Sequence, residues 1–231
     1  MRWIRLVWLM VPLGLLACGD AGDLGIGPPP SGGSLGRTSV TPECGALNQA
    51  CLVGGLDAPL ARGASLGLGV DYRLAGNSGP PTTLEGVNPA VIDVTDAVVT
   101  GRAQGMSGIL ILDPNRQVVD FIHLWVADAT ELRVIRHNDD GLPVGAVRSS
   151  GTVLAGDEII LSLEAFNGTQ GLLGLFETVW QIEVLEGEEP IAIVEDIVFG
   201  WFRLIARGPG KVRLTADALG QQKTIELEVL P

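Results

Sequence analysis

The sequence predicts an all-β chain made of two similar domains, and three observations carry that prediction. Apolar residues alternate with polar residues or glycine over several short stretches. Turn-forming clusters separate those stretches too closely for long helices, and one strand-loop-strand stretch recurs 103 residues further on. Composition agrees: of 231 residues 46% are hydrophobic, 18% are charged and 32 are glycine, with Lys211 and Lys223 the two lysines. That mixture suits short strands and turns better than a helical bundle. A chain of this length holds one or two domains with cores of ordinary size.

The N-terminal segment has a different character. Arg2 and Arg5 come first, residues 6–17 carry no charge, and the small Ala17 precedes Cys18. The apolar run is shorter than the roughly 20 residues that span a bilayer, and its layout is that of a secretory leader, so residues 1–17 are expected to be a signal peptide. A buried helix with an incidental cysteine is the alternative reading. It leaves the charged start, the length and the small residue before Cys18 to coincidence.

The junction Leu15-Leu16-Ala17-Cys18 resembles the lipobox of bacterial lipoproteins, with Leu16 a less typical choice at its position. The resemblance implies that Cys18 is lipidated, becomes the first mature residue and tethers the protein to a membrane of the cell envelope. Gly19, not Asp, follows the cysteine, so the inner-membrane retention signal of some lipoproteins is absent and the outer membrane is the expected address. The following stretch, GDAGDLGIGPPPSGGSLGRTSV, is rich in Gly, Pro and Ser and has no apolar period. It reads as a flexible linker, and residues 18–58 are expected to form the tether. About 25 such residues have a root-mean-square span of roughly 25 to 30 Å.

Cys44 and Cys51 remain once Cys18 is set aside. An even pair in an exported chain suggests a disulfide closing the loop CGALNQAC, worth on the order of 2 to 3 kcal/mol. A zinc site needs about four ligands, and the two histidines, His123 and His137, are distant in sequence. No metal or other cofactor is expected. The formal charge is -12, and loss of Arg2 and Arg5 with the leader takes it to about -14. No clustered basic surface is present for phosphates, so a nucleic-acid partner is excluded.

Strand patterns begin at Leu66. Leu66, Leu68, Val70, Tyr72 and Leu74 alternate with Gly67, Gly69, Asp71 and Arg73, the period of a strand with one buried face. Ile159, Leu161, Leu163 and Ala165 form a second alternation, Trp180, Ile182 and Val184 a third, and Ile225, Leu227 and Val229 the last. GNSGPP, DPNRQ, NDDG, FNGTQG and RGPG supply the turns. In the 103-residue repeat Ala103 meets Ala206, Gly105 meets Gly208, Ile109 meets Val212 and Ile111 meets Leu214. The same register carries Ile122, Leu124 and Val126 onto Ile225, Leu227 and Val229. Gly105 and Gly208 are expected in the tight turn entering an inner strand, where a side chain would be excluded.

The first copy resembles the bacterial immunoglobulin-like repeats of the group 2 type. Asn88-Pro89-Ala90-Val91, Val99-Thr100-Gly101, Ala103, Gly105, Ile109 and Ile111 are the matching positions. The second copy lacks the NPAV stretch and keeps Ala206, Gly208, Val212 and Leu214. The resemblance implies two tandem immunoglobulin-like β-sandwich domains of around seven strands with Greek-key connections, here placed at residues 59–131 and 132–231. Trp180 is expected to pack in the second core. Trp125 runs out of phase with Ile122, Leu124 and Val126, so it and Phe121 are expected to form an outward apolar patch, for which the domain junction is one place.

Chemistry is sparse. Gly32–Gly36 and Gly63–Gly67 both satisfy the GxSxG pattern, but Ser34 falls in the linker and Ser65 opens an alternating strand, so neither has the strand-to-helix setting of a nucleophile elbow. His137–Gly141 lacks the first acidic ligand and distal Glu of a calcium loop and reads as an Asx-type turn. Glu183, Glu186, Glu188 and Glu189 read as a solvated strand end in preference to a cation site. The sequence thus points to a non-catalytic envelope lipoprotein that binds an envelope protein or glycan, mediates adhesion or acts as a spacer. The alternative is a polysaccharide-directed hydrolase or its accessory subunit, which requires paired carboxylates or a Ser-His constellation converging in a pocket.

Overall fold

The computed structural model describes residues 31–43, 48–74, 77–138, 141–194 and 201–231. The expectations for the leader and for Cys18 and Cys44 lie outside these residues. The first sandwich contains β1 (Ser31–Gly32), β2 (Thr38–Glu43), the helix α1 (Gln49–Gly54), β3 (Leu60–Ala61), β4 (Ser65–Leu74), β5 (Asn77–Ser78), β6 (Thr83–Gly86), β7 (Ile92–Thr95), β8 (Val98–Gly101), β9 (Gly105–Leu112) and β10 (Val118–Ala127). One sheet has the order β1-β2-β4-β8-β7 with β5 beside β4, and the facing sheet has the order β3-β10-β9-β6.

The second sandwich contains β11 (Glu131–His137), β12 (Pro143–Val147), β13 (Ser150–Leu154), β14 (Glu158–Asn167), β15 (Gln170–Gly171), β16 (Val179–Glu186), β17 (Ile191–Val194), β18 (Phe202–Ala206), β19 (Gly210–Ala218) and β20 (Gln221–Leu230). Its sheets run β12-β11-β14-β18-β17, with β15 beside β14, and β13-β20-β19-β16. This repeats the first sandwich strand for strand but for one edge strand: β1 precedes β2 in the chain, whereas β12 follows β11. In each, a short strand (β3 or β13) crosses to the other sheet and pairs in parallel with the last strand, giving an immunoglobulin-like, Greek-key arrangement.

Alternating aliphatics face inward as expected. Ile109, Ile111, Ile122, Leu124 and Val126 fill the first core, and Val212, Leu214, Ile225, Leu227 and Val229 the second; all ten are buried. Two inward patterns run out at their ends. Leu74 is exposed at the end of β4, and Val184 is exposed where a bulge between Val184 and Glu186 shifts the register of β16 against β19. Trp180 packs as expected, its ring stacked on Phe202 of the facing sheet at 4.7 Å.

Two expectations are corrected. Residues 18–58 are not linker throughout, because β1, β2 and α1 lie within them and the described strands of the first sandwich start at Ser31. Thr38 and Val40 are buried as β2 pairs with β4 from Thr38↔Tyr72 to Glu43↔Gly67. Asn48 caps α1, its Oδ1 accepting from the Cys51 amide at 2.8 Å.

The repeat also needs a different register on its first strand. Gly105 lies opposite Val126, and the residue opposite Val229 is Gly210, not Gly208. The slip is two residues, which leaves every side chain on the face expected for it. Gly208 has open space where a Cβ would be, whereas a Cβ on Gly210 would collide with the Glu186 carbonyl. The slip is absorbed by the hairpins: five residues join β9 to β10, while Leu219 and Gly220, with φ of 51° and 72°, turn β19 into β20.

The sandwiches meet through backbone hydrogen bonds. Ala61 N donates to Leu173 O at 3.0 Å, Leu173 N to Pro59 O at 2.7 Å, Ser65 N to Leu175 O at 2.9 Å and Leu175 N to Ser65 O at 2.7 Å. Leu60, Leu172 and Leu173 are fully buried there, so the junction extends the hydrophobic core instead of acting as a free hinge. Asn48 reinforces it, its side-chain amide donating to Leu172 O at 3.0 Å.

Candidate functional site

The outward face of the β3-β10-β9-β6 sheet is the candidate site. Phe121, His123 and Trp125 project from β10 because Ile122, Leu124 and Val126 point inward. Register places Trp125 beside Met106, His123 beside Gly108 and Phe121 beside Leu110. Leu110 in turn faces Glu85 of β6, and Val87 donates its amide to Gly108 O at 2.9 Å. The result is a grid three strands wide. Trp125 is 58% exposed, Met106 47% and Val87 59%, and Phe121 meets His123 edge to face at 5.4 Å. The rim is polar, with Arg116 bonded to Glu85 at 2.6 Å.

The same grid in the second sandwich has a different surface. With Gly105 aligned to Gly210, the counterparts of Trp125, His123 and Phe121 are Glu228, Glu226 and Thr224, and those of Met106, Gly108 and Leu110 are Lys211, Arg213 and Thr215. Arg213 bridges Glu183 at 2.8 Å and Glu226 at 2.9 Å, while Lys211 lies 3.6 Å from Glu186 and 3.9 Å from Glu228. The expected acidic segment is therefore part of a cross-strand ion-pair ladder, with Glu189 3.6 Å from Arg207. Among the described residues no group of three or more His, Cys, Asp or Glu side chains could hold a metal ion.

Other candidates resolve into structural roles. Ser34 lies in the exposed turn between β1 and β2, and Ser65 Oγ shares a 2.8 Å hydrogen bond with Thr100 Oγ1. Trp201 stacks on His137 with centroids 6.5 Å apart. His137 does contact a serine: Nε2 lies 2.8 Å from Ser162 Oγ and Nδ1 3.1 Å from Gly141 O. This pair lacks what a nucleophile and base need. His137 and Ser162 are 3% and 4% exposed, and a carbonyl, not a carboxylate, holds the second ring nitrogen. Burial pushes the imidazole pKa down despite that carbonyl, so the ring is a neutral packing element. Asn138 Oδ1 accepts from Leu142 N at 2.7 Å, four residues on, a longer loop closure than the bond two residues on that defines an Asx turn.

A cleft of about 780 Å³ opens where the sandwiches meet, lined by Arg62, Arg102, Phe176, Glu177, Asp217 and Leu219 among others. Its bases are engaged, Arg62 with Asp128 at 2.9 Å and Arg102 with Asp93 at 2.7 Å. Glu177 is exposed. The aromatic patch expected from Phe121 and Trp125 thus sits on an open sheet face, not at this junction. Met106, Leu110 and Val87 join it through strand register, which only the pairing reveals.

No family model and no curated protein matches the chain. Solved structures similar to it include domains 5–6 of the S-layer protein SbsC, at 12% identity and a TM-score of 0.31 over 88% of this chain and 98% of that one. An Escherichia coli adhesin, FdeC, is similar at 12% identity and a TM-score of 0.32 over 88% and 65%, and the Yersinia pseudotuberculosis adhesin InvE at 10% and 0.31 over 90% and 61%. The chain spans 23% of a longer SbsC chain that it also matches. These likenesses are of fold alone. Among the described residues no helix is long and apolar enough to cross a membrane.

Proposed function

We propose that this chain is a non-catalytic interaction module of the bacterial cell envelope, held to the outer membrane through lipid on Cys18 and built from two group 2 type immunoglobulin-like domains. One observation supports the interaction role above the others: the first sandwich exposes an aromatic face where the second, at equivalent positions, carries a charged ladder. A single framework needs no such contrast for folding, because the ladder shows that the same grid is satisfied by polar residues. The tight junction suits a module that presents this face at a fixed angle to its tether.

Metabolic labelling with a fatty acid followed by fractionation tests the anchor. The wild-type chain is expected to carry label and sediment with membranes, and Cys18→Ala to lose both; label retained on Cys18→Ala overturns lipidation at this residue. A Cys44–Cys51 clip belongs to the same proposal, and the full burial of Cys51 supports it. Non-reducing peptide mapping is expected to recover the two cysteines in one linked peptide, and free thiols at both would remove the clip.

A further inference from the structure

We infer that the outward face of β6, β9 and β10 is a glycan-binding platform on which neutral pyranose rings stack against Trp125, an inference that rests on the interaction role proposed above and names its ligand. Size is the first argument. Phe121 and Trp125 stand four residues apart, about 13 Å, and the grid crosses three strands about 4.8 Å apart, giving on the order of 200 Å². A stable pair of protein surfaces needs roughly 800 Å² from each partner. A second copy of this chain, or a folded protein, would bury too little here.

Shape is the second. β9 is hydrogen-bonded on both sides, to β10 and β6, and β10 next to Trp125 lies between β9 and β3, with Val126 paired to Gly105 and Leu60, so the face offers neither a groove for a helix nor, beside Trp125, a free strand edge for a peptide. An exposed indole presents a broad negative π surface, the complement of the axial C–H face of a pyranose. Gly108 keeps the centre of the grid low, with Val87 lying against it. His123, which is exposed, and Glu85 place hydrogen-bonding groups beside the ring face, where sugar hydroxyls project.

Charge is the third. The base bordering the grid, Arg116, is bonded to Glu85, and the chain as a whole carries -12. An acidic polysaccharide would meet repulsion with no basic cluster to offset it, which selects a neutral glycan.

The test titrates the full chain with cellohexaose, chitohexaose and mannohexaose, following tryptophan fluorescence and calorimetric heat, with polygalacturonate as the acidic arm. Binding of at least one neutral oligosaccharide and none of polygalacturonate is expected. Trp125→Ala is expected to weaken that binding at least tenfold, and the double variant Trp125→Glu, Phe121→Thr, which copies the second sandwich, to abolish it. Thermal unfolding should stay unchanged in both, since the replaced side chains project outward. No binding by the wild-type chain, or equal binding by Trp125→Ala, overturns the glycan ligand. Self-association that Trp125→Ala dissolves overturns it in favour of a second copy, and polygalacturonate binding overturns the neutral class. The interaction role fails separately, if crosslinking of intact envelopes captures the same products from wild-type and doubly substituted chains.

Discussion

Asp120→Ala is expected to lower the unfolding free energy of the first sandwich by about 3 to 5 kcal/mol, and Asp120→Asn by nearly as much. Asp120 is fully buried, and its carboxylate collects the turn between β1 and β2. Oδ1 accepts from Leu35 N at 2.7 Å and Phe121 N at 2.9 Å. Oδ2 accepts from Arg37 N at 2.8 Å, Thr38 N at 2.9 Å and Thr38 Oγ1 at 3.1 Å. Gly33 passes so close to the carboxylate that a Cβ there would overlap it. Alanine orphans all these donors, each costing about 1 to 3 kcal/mol when dry, although Leu35 and Arg37 are exposed and water recovers part of the loss. Asparagine keeps one acceptor oxygen but turns N–H groups toward N–H groups, so shape alone does not rescue it.

The pH dependence follows from the same contacts. Burial pushes the Asp120 pKa up, but the amides of Leu35, Phe121, Arg37 and Thr38 together outweigh it and hold the folded value below the ordinary 3.8. A depressed acid stabilises fully above its unfolded pKa and loses that contribution as pH falls through its folded value. The stability gap between wild type and Asp120→Asn, measured by urea denaturation, should therefore be constant from pH 7 to about 5 and narrow below about pH 4, by about 1.4 kcal/mol for each unit by which the fold depresses the pKa. A gap that is small at pH 7, or that does not narrow in acid, would show that the carboxylate is not what secures β1 and β2.

That carboxylate also explains why β2 was illegible as sequence. Thr38-Ser39-Val40-Thr41-Pro42-Glu43 alternates, yet contributes one aliphatic residue to the core, and the burial of Thr38 is satisfied by an acid 82 residues away. Periodicity reports local pattern, not distant partners. By contrast β9, β10, β19 and β20 are evident because every second residue is aliphatic on a face that must be buried. The repeat was legible to within two residues: an even slip preserves the pattern of faces, so sequence alignment could not distinguish Gly208 from Gly210, and the steric demand at Glu186 could. The candidate face was half visible. Phe121 and Trp125 betray themselves by being apolar on the wrong phase, but Met106 and Leu110 acquire meaning only once β9 is set against β10, and the ladder at Lys211, Arg213, Glu226 and Glu228 becomes a comparison only with the corrected register.

Gly174→Ala is expected to uncouple the two sandwiches at a cost of about 2 to 5 kcal/mol. Gly174 has φ of 107°, and a Cβ there would lie 2.7 Å from Leu60 Cδ1, 2.8 Å from the Ala64 Cβ and 3.2 Å from the Ser65 carbonyl oxygen. Left-handed backbone costs a non-glycine residue roughly 1 to 2 kcal/mol, and forcing a methyl into a packed core adds about 1 to 3. Both fall on the segment whose neighbours Leu173 and Leu175 hydrogen-bond to Pro59, Ala61 and Ser65. Strain at this point is relieved most directly by parting the junction, since each sandwich keeps its own sheets. Gly168→Ala separates the two contributions, because Gly168 also has positive φ, 59°, but nothing within 4 Å of its added methyl. Calorimetry of the wild type and of Gly168→Ala should give one coupled transition, shifted slightly in the variant. For Gly174→Ala two resolved transitions are expected, with faster protease cleavage around residues 128–130. A single unshifted transition in Gly174→Ala would mean that the junction yields without loss, and that the angle between the aromatic face and the second sandwich is not fixed by this contact.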